Sequence, residues 1–455
     1  MVRALAARRD LTEGSLARNI WHLAIPLVVT SALMDLFNIV DMIFVGRLGP
    51  AAIAAVSMSG VLMGLIRMLA AGISTGTVAL VSRFVGQGDR AAAQDAVGQS
   101  ILLSAVCSVV VALLGWFFAE PVLRLLGAAD DVISGGVAYL RVMCLGGITM
   151  FLSMTLGAGM RGFGDAVTPM WALGLASLLN VGLDPLLIFG IGPFPRLEVA
   201  GSAIATVISR AVASAILLVA LLRRRGADEQ LPRVRLLPHA GGESYVSRIM
   251  RIGSFSALRM LSMNMSRLFL VRIVALFGTF AVAAFGIGLR LRIFVFMLGF
   301  GLADSTAVIV GQNLGAHKPE RARKSAWLSV AFFGAFIVVL SGVFLGAPRA
   351  IIGIFNTDPE VLAMGARYLA FFVPSLYLLD LAIVLGRAID GAGDTLPTML
   401  IAFASLILIG VPMAWGFSRL WGVDGIWVAL MAADMLQGVG TTIVFRSGRW
   451  MRKKL

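Results

Sequence analysis

Long apolar runs, broken by short segments rich in Gly and Arg, dominate the chain. A helix needs about 20 apolar residues, with a range of ~17–25, to cross a bilayer core. Runs of that kind start near Ile20, Ala55, Val97, Gly136, Thr168 and Ala200, and again near Met250, Ala281, Ala326, Leu362, Pro397 and Asp424. The pattern predicts an all-α polytopic membrane protein with twelve transmembrane helices. Arg67, Arg290 and Arg292 interrupt the second and eighth runs and blur their ends. The longest polar connector, Arg223 to Tyr245, falls between the sixth and seventh runs. It divides the chain into an N-terminal six-helix lobe (1–222), a cytoplasmic linker (223–246) and a C-terminal six-helix lobe (247–455).

The two halves repeat. "GRLGPAAIAAV" around Gly49 is echoed by "ALFGTFAVAAF" around Gly278, and "SRFVGQGDRAAA" with Gly86 by "GQNLGAHKPERA" with Gly315. "RGFGDAVTP" with Gly162 and Asp165 is echoed by "DGAGDTLPT" with Gly391 and Asp394. Each pair is separated by 229 residues, whereas the sixth and twelfth runs match at 224 ("VAGSAIA", "VDGIWVA"). An even number of spans per half makes this a parallel repeat of two pseudo-symmetric lobes, about an axis along the membrane normal. The glycine-rich turns "RGFGD" and "DGAGD" suit tight connections with positive φ. Asp165 and Asp394, at the start of the following helices, are expected to cap exposed N–H groups.

Composition agrees. The 455 residues are 59% hydrophobic and 14% charged, whereas a soluble domain is about 45–50% apolar. The formal charge of +14 is expected to mark cytoplasmic loops rather than a nucleic-acid partner. With both termini in the cytoplasm, that side receives Arg3, Arg8, Arg9 and Arg18, the linker arginines, the Lys318–Lys324 cluster and the basic tail, while Arg124, Arg196, Arg349 and Arg419 stand isolated opposite. The start of the chain lacks the apolar core and cleavage site of a signal peptide. Cys107 and Cys144 lie in apolar runs, and His22, His239 and His317 are scattered, so no metal spacing exists.

Ionisable residues at bilayer depth are costly and point to function. Six carboxylates lie inside apolar runs: Asp35, Asp41, Asp184, Asp304, Asp380 and Asp434. Asp304, Asp380 and Asp434 share the second half with many arginines and are open to structural Asp–Arg pairing. Asp41 and Asp184 differ. Both lie towards the outer ends of their spans, and each has an amide on its own helical face, Asn38 three residues before and Asn180 four before. The repeat does not reproduce them: Asp41 maps to Leu270, Asn180 to Ile409 and Asp184 to Met413.

With its "DMIFVGRLGPAAIAAV", "GQNLGAHKPERA", "RGFGDAVTP" and "DGAGDTLPT" segments and its six-plus-six repeat, the whole chain resembles the multidrug and toxic compound extrusion (MATE) family, in its DinF-like branch. The resemblance implies a V-shaped pair of lobes and proton- or sodium-driven export of bulky organic, often cationic, drugs. It also implies a first-lobe cation or proton site, to which Asp41, Asn180 and Asp184 correspond, joined by Tyr139 and Thr206. Pro26 matches a helix-bending proline. Asn38, Asp35 and Asp380 are secondary candidates. The sister NorM-like branch carries a Glu in its seventh helix, whereas Met250 to Gly286 here holds no Asp or Glu but Arg259, Arg267 and Arg272.

The expected activity is alternating-access antiport, with Asp41 and Asp184 loading H⁺ or Na⁺ and the ion selecting a straight or Pro26-bent first helix. Substrate contacts are guessed at Met34, Phe37 and Met154. No cofactor beyond the coupling ion, no metal beyond a possible Na⁺, no nucleic-acid partner and no enzymatic activity are expected. A monomer in the cell (plasma or inner) membrane is expected, with the lipid bilayer its other partner. The alternatives are a lipid-linked oligosaccharide flippase of the same superfamily, which would line its cavity with cationic residues, and, more remotely, an intramembrane enzyme.

Overall fold

The computed structural model describes residues 10–227 and 244–453, with side chains of 224–227 left aside. Most of the 223–246 linker, the N-terminal arginines Arg3, Arg8 and Arg9, and Lys454 lie outside the described residues. Helix is the regular structure of the described residues, which contain no strand. The first half contains α1 (Leu16–Gly46), α2 (Pro50–Gln87), α3 (Arg90–Leu125), α4 (Asp130–Leu145), α5 (Gly147–Gly162), α6 (Val167–Phe189) and α7 (Glu198–Ala227). The second contains α8 (Val246–Ala275), α9 (Thr279–Gly315), α10 (Pro319–Gly346), the short α11 (Pro348–Gly353), α12 (Pro359–Gly391), α13 (Thr395–Phe403), a π-helical turn (Ala404–Gly410), α14 (Val411–Trp421) and α15 (Val423–Arg446).

Every run read from hydropathy corresponds to one of these helical segments, in order. α4 and α5 form one span bent by 45° at Gly146, and α13 to α14 form one span through the π turn. Among the described residues, ten spans are long and apolar enough to cross a bilayer by themselves, eleven with the bent pair. The remaining segment is α8, whose Arg248, Arg251, Arg259, Arg267 and Arg272 dilute its hydropathy.

The repeat persists in backbone and side-chain detail. Gly49 and Gly278, Gly88 and His317, and Gly164 and Gly393 are pairs at the 229-residue offset, and all six have positive φ. Thr77 on α2 donates to Ser100 on α3 at 2.9 Å, and their counterparts Thr306 on α9 and Ser329 on α10 form the same bond at 2.7 Å. α2 packs on α3, α4 and α5 as α9 packs on α10 and α12, and α6 packs on α7 as α14 packs on α15. His317 is the exception to glycine in this set, with φ 57°. A left-handed L-residue costs roughly 1–2 kcal/mol, part of which glycine loses in unfolded-chain entropy. His317→Gly is therefore expected to raise thermal stability, by up to about 1 kcal/mol, read as a shifted unfolding midpoint in detergent.

The caps diverge between the halves. Asp165 accepts from the N–H groups of Val167 (3.0 Å) and Thr168 (2.9 Å), as expected of a capping carboxylate. Asp394 makes no capping bond and instead accepts from Lys453 Nζ at 2.9 Å.

Two compact units result, one comprising Ile25–Ser254 and the other Leu11–Ala24 with Phe255–Leu455. α1 thus begins in the second unit, where Asn313 donates to the Leu11 carbonyl at 3.2 Å and Arg321 to the Glu13 carbonyl at 2.7 Å. α8 begins in the first, where the Tyr245 N–H reaches Gln99 Oε1 at 2.6 Å. Pro26 lies inside an unbroken α1, two residues past the changeover.

Candidate cation site in the first unit

α6 places Asn180 and Asp184 one turn apart on its inner face, both with 0% exposure. Pro185 follows at once and lies inside the helix. Lacking an N–H, it releases the Val181 carbonyl from its helix bond. α1 brings Asp41, half-buried, to the same place, and its carboxyl faces that of Asp184 closely enough to interact directly. α7 supplies two hydroxyls one turn apart. Ser202 Oγ donates to Asp41 Oδ1 at 2.7 Å, and Asn180 Nδ2 donates to Thr206 Oγ1 at 3.4 Å. Tyr139 on α4 is buried within electrostatic range of both carboxyls.

The donors and acceptors here do not balance. Both oxygens of Asp184 and the Oδ1 of Asn180 are buried without a hydrogen-bond donor among the described residues. An ionised carboxylate buried in this way costs several kcal/mol, and a like charge beside it adds to that. A proton carried by one carboxyl, or a monovalent cation among the oxygens, relieves both costs. Hard cations favour such an oxygen set of carboxylate, amide and hydroxyl groups. No group of three or more His, Cys, Asp or Glu gathers among the described residues.

The structure thus brings Asp41, Asp184, Asn180, Tyr139 and Thr206 together. Ser202 went unrecognised in the sequence, although it lies one turn before Thr206 on the same face and is the residue bonded to Asp41. Arg210 and Arg67 also went unrecognised as site neighbours. Arg210 lies within electrostatic range of Asp41 and Tyr139, and Arg67 of Tyr139. Asp35 and Asn38 are exposed on α1, outside this cluster. Met34 is exposed, and Phe37 and Met154 are half-buried on α1 and α5.

The second unit handles buried charge differently. Arg292 binds Asp434 through two bonds of 2.7 Å, and Ser375 donates to the same carboxylate at 3.3 Å. Arg387 pairs with Asp304 and lies 3.7 Å from Asp390, which Arg259 binds at 2.7 Å. Asp304 and Asp434 are therefore in arginine pairs. Asp390, within the "DGAGD" motif, completes that network and was read from sequence only as part of a turn. Asp380 is buried, with one oxygen lacking a donor and no basic partner among the described residues.

The MatE family model matches residues 26–186 and 256–415, one match in each half. The chain is 30% identical over 440 residues to an FAD transporter of Shewanella oneidensis, covering 95% of both chains. It is 28% identical over 429 residues to a probable multidrug resistance protein, YoeA, of Bacillus subtilis, covering 93% of this chain and 92% of that one. Its fold superposes on a transporter of the MOP superfamily from Pyrococcus furiosus with TM-score 0.87 at 23% identity, covering 98% of both chains. The family match in both halves, with a relative 30% identical across 95% of both chains, makes this chain a member of the MatE family of membrane transporters.

Proposed function

We propose that the protein is a secondary active antiporter of the cell membrane, with both termini cytoplasmic, that exports organic, often cationic, compounds in exchange for H⁺ or Na⁺. Asp41 and Asp184 hold the coupling ion, with Asn180, Thr206, Ser202 and Tyr139 around them. The observation that carries this reading is the facing pair of carboxyls, of which Asp184 has both oxygens buried without a donor. An ion arriving there changes the energy of the site by several kcal/mol, enough to shift a two-state equilibrium in α1, on which Asp41 and Pro26 both lie. Similarity to the probable multidrug resistance protein YoeA of Bacillus subtilis supports drug-like cargo. Similarity to the FAD transporter of Shewanella oneidensis supports a second reading, a flavin dinucleotide as cargo. A lipid-linked oligosaccharide flippase would hold its pyrophosphate on cationic residues; Arg259, Arg292 and Arg387 are paired with carboxylates, and Arg267 has no ion pair among the described residues.

Purified protein in sealed vesicles, loaded with a cationic dye or with FAD, tests the proposal. An imposed proton gradient or sodium gradient should drive transport of one cargo. Transport that ignores both gradients would refute antiport.

A further inference from the structure

A cavity of about 260 Å³ lies wholly within the second unit, between α8, α9, α12, the π turn and α15. That is close to the lower end of the ~300–1,000 Å³ usual for small-molecule sites. One wall is aromatic. Phe285 and Tyr368 line it, braced from behind by Trp427, which stacks on Phe285 (5.8 Å) and meets Tyr368 edge-on (5.1 Å). Phe296 and Phe300 extend the same wall.

Three charged side chains line the cavity: Arg267, Arg292 and Asp434. Two of them cancel. Arg292 is held by both oxygens of Asp434 and also reaches Tyr368, so its donors are largely committed. Arg267 has no ion pair or hydrogen bond among the described residues and is exposed at the cavity. Asn264, one turn earlier on α8, lines the cavity beside it. The cavity therefore presents one guanidinium without a partner among the described residues, the amides of Asn264 (whose Nδ2 also donates to the Met260 carbonyl at 2.9 Å) and Gln437, and a set of rings. A bare inorganic anion would leave the rings unused, and an apolar compound would leave Arg267 unpaired.

We infer that this cavity is a binding site for a small aromatic anion, its carboxylate or phosphate on Arg267 and Asn264 and its ring against Phe285 and Tyr368. The site involves neither Asp41 nor Asp184, so it stands or falls separately from the antiport reading.

The test uses three probes with one ring system: 1-naphthoate, 1-naphthalenemethanol and 1-naphthylmethylamine. Binding to the full-length protein in zwitterionic lipid nanodiscs is measured by equilibrium dialysis at low salt. Naphthoate should bind about tenfold tighter than the neutral alcohol, as expected for one charge-assisted hydrogen bond, and the amine weakest. Acetate in excess should fail to displace it. Arg267→Gln should abolish the preference for the anion, and Arg267→Lys should restore most of it. Since Arg267 makes no bond within the protein, the variants keep the fold, checked by an unchanged unfolding midpoint. Asp184→Asn should bind naphthoate as the unmodified protein does. Equal affinity for the three probes, an unchanged preference in Arg267→Gln, or displacement by acetate would overturn the assignment.

Discussion

Asp184→Asn should abolish gradient-driven efflux while leaving the protein at least as stable as before. The two effects share one cause. Asp184 is fully buried with neither oxygen bonded to a donor, and it faces the carboxyl of Asp41. An asparagine keeps its shape and offers an N–H in place of a like charge. A hydrogen bond to a charged group contributes about 1.5–3 kcal/mol, so the Asp41 carboxylate gains a permanent partner. That bond does permanently what a transient ion would otherwise do. The prediction is checked by vesicle efflux alongside thermal unfolding of the same preparation. Loss of transport with a large drop in stability would assign Asp184 a structural role, and retained transport would remove it from the coupling site.

The second large effect is expected in the other unit. Asp434→Leu leaves Arg292, paired through two 2.7 Å bonds, as an uncompensated buried cation. Removing one partner of a buried pair typically costs about 3–5 kcal/mol. The single variant should lose most of its folded yield or unfold at a much lower temperature. The double variant Arg292→Met with Asp434→Leu removes both charges and should recover most of the loss, because a well-packed apolar pair can replace a buried ion pair at little cost. A double variant no better than the single one would show that the hydrogen bond from Ser375 or the contact with Tyr368 carries the stability instead. The contrast with Asp184→Asn separates the two units. Asp184 is a buried acid with no basic partner, and its substitution costs function, whereas Asp434 is a buried acid paired with arginine, and its substitution costs stability.

The order of the helices was legible because apolar length is a local property. The 229-residue echo was legible because turn glycines recur at fixed places, and Gly164 and Gly393 have the positive φ that "RGFGD" and "DGAGD" imply. The conjunction of Asp41 with Asp184 could be argued only from depth and from the missing repeat partners. Ser202 was harder to find. Serine and threonine are common in apolar helices, where they bond to their own backbone, as Ser214 does to the Arg210 carbonyl. Two hydroxyls at adjacent turns of one face gave no basis for preferring the one that reaches Asp41. Asp390 was hidden differently, since "DGAG" reads as a turn. Its bond to Arg259 joins residues more than a hundred positions apart, which no local pattern reports. Asp394 was expected to cap a helix on good local grounds, and a lysine from the far end of the chain displaced that role.

The arginines of α8 also bear on how the protein is made. A charged residue at the centre of a span costs about 2.5–3.5 kcal/mol during insertion, and α8 is the long segment that fails to qualify as a span alone. Its Arg259 is neutralised by Asp390, near the end of α12. The ribosome delivers α8 well before that aspartate exists. α8 is therefore expected to enter the bilayer poorly without α12, and a chain truncated before α12 should show α8 less fully inserted than the whole protein does in a glycosylation-mapping assay.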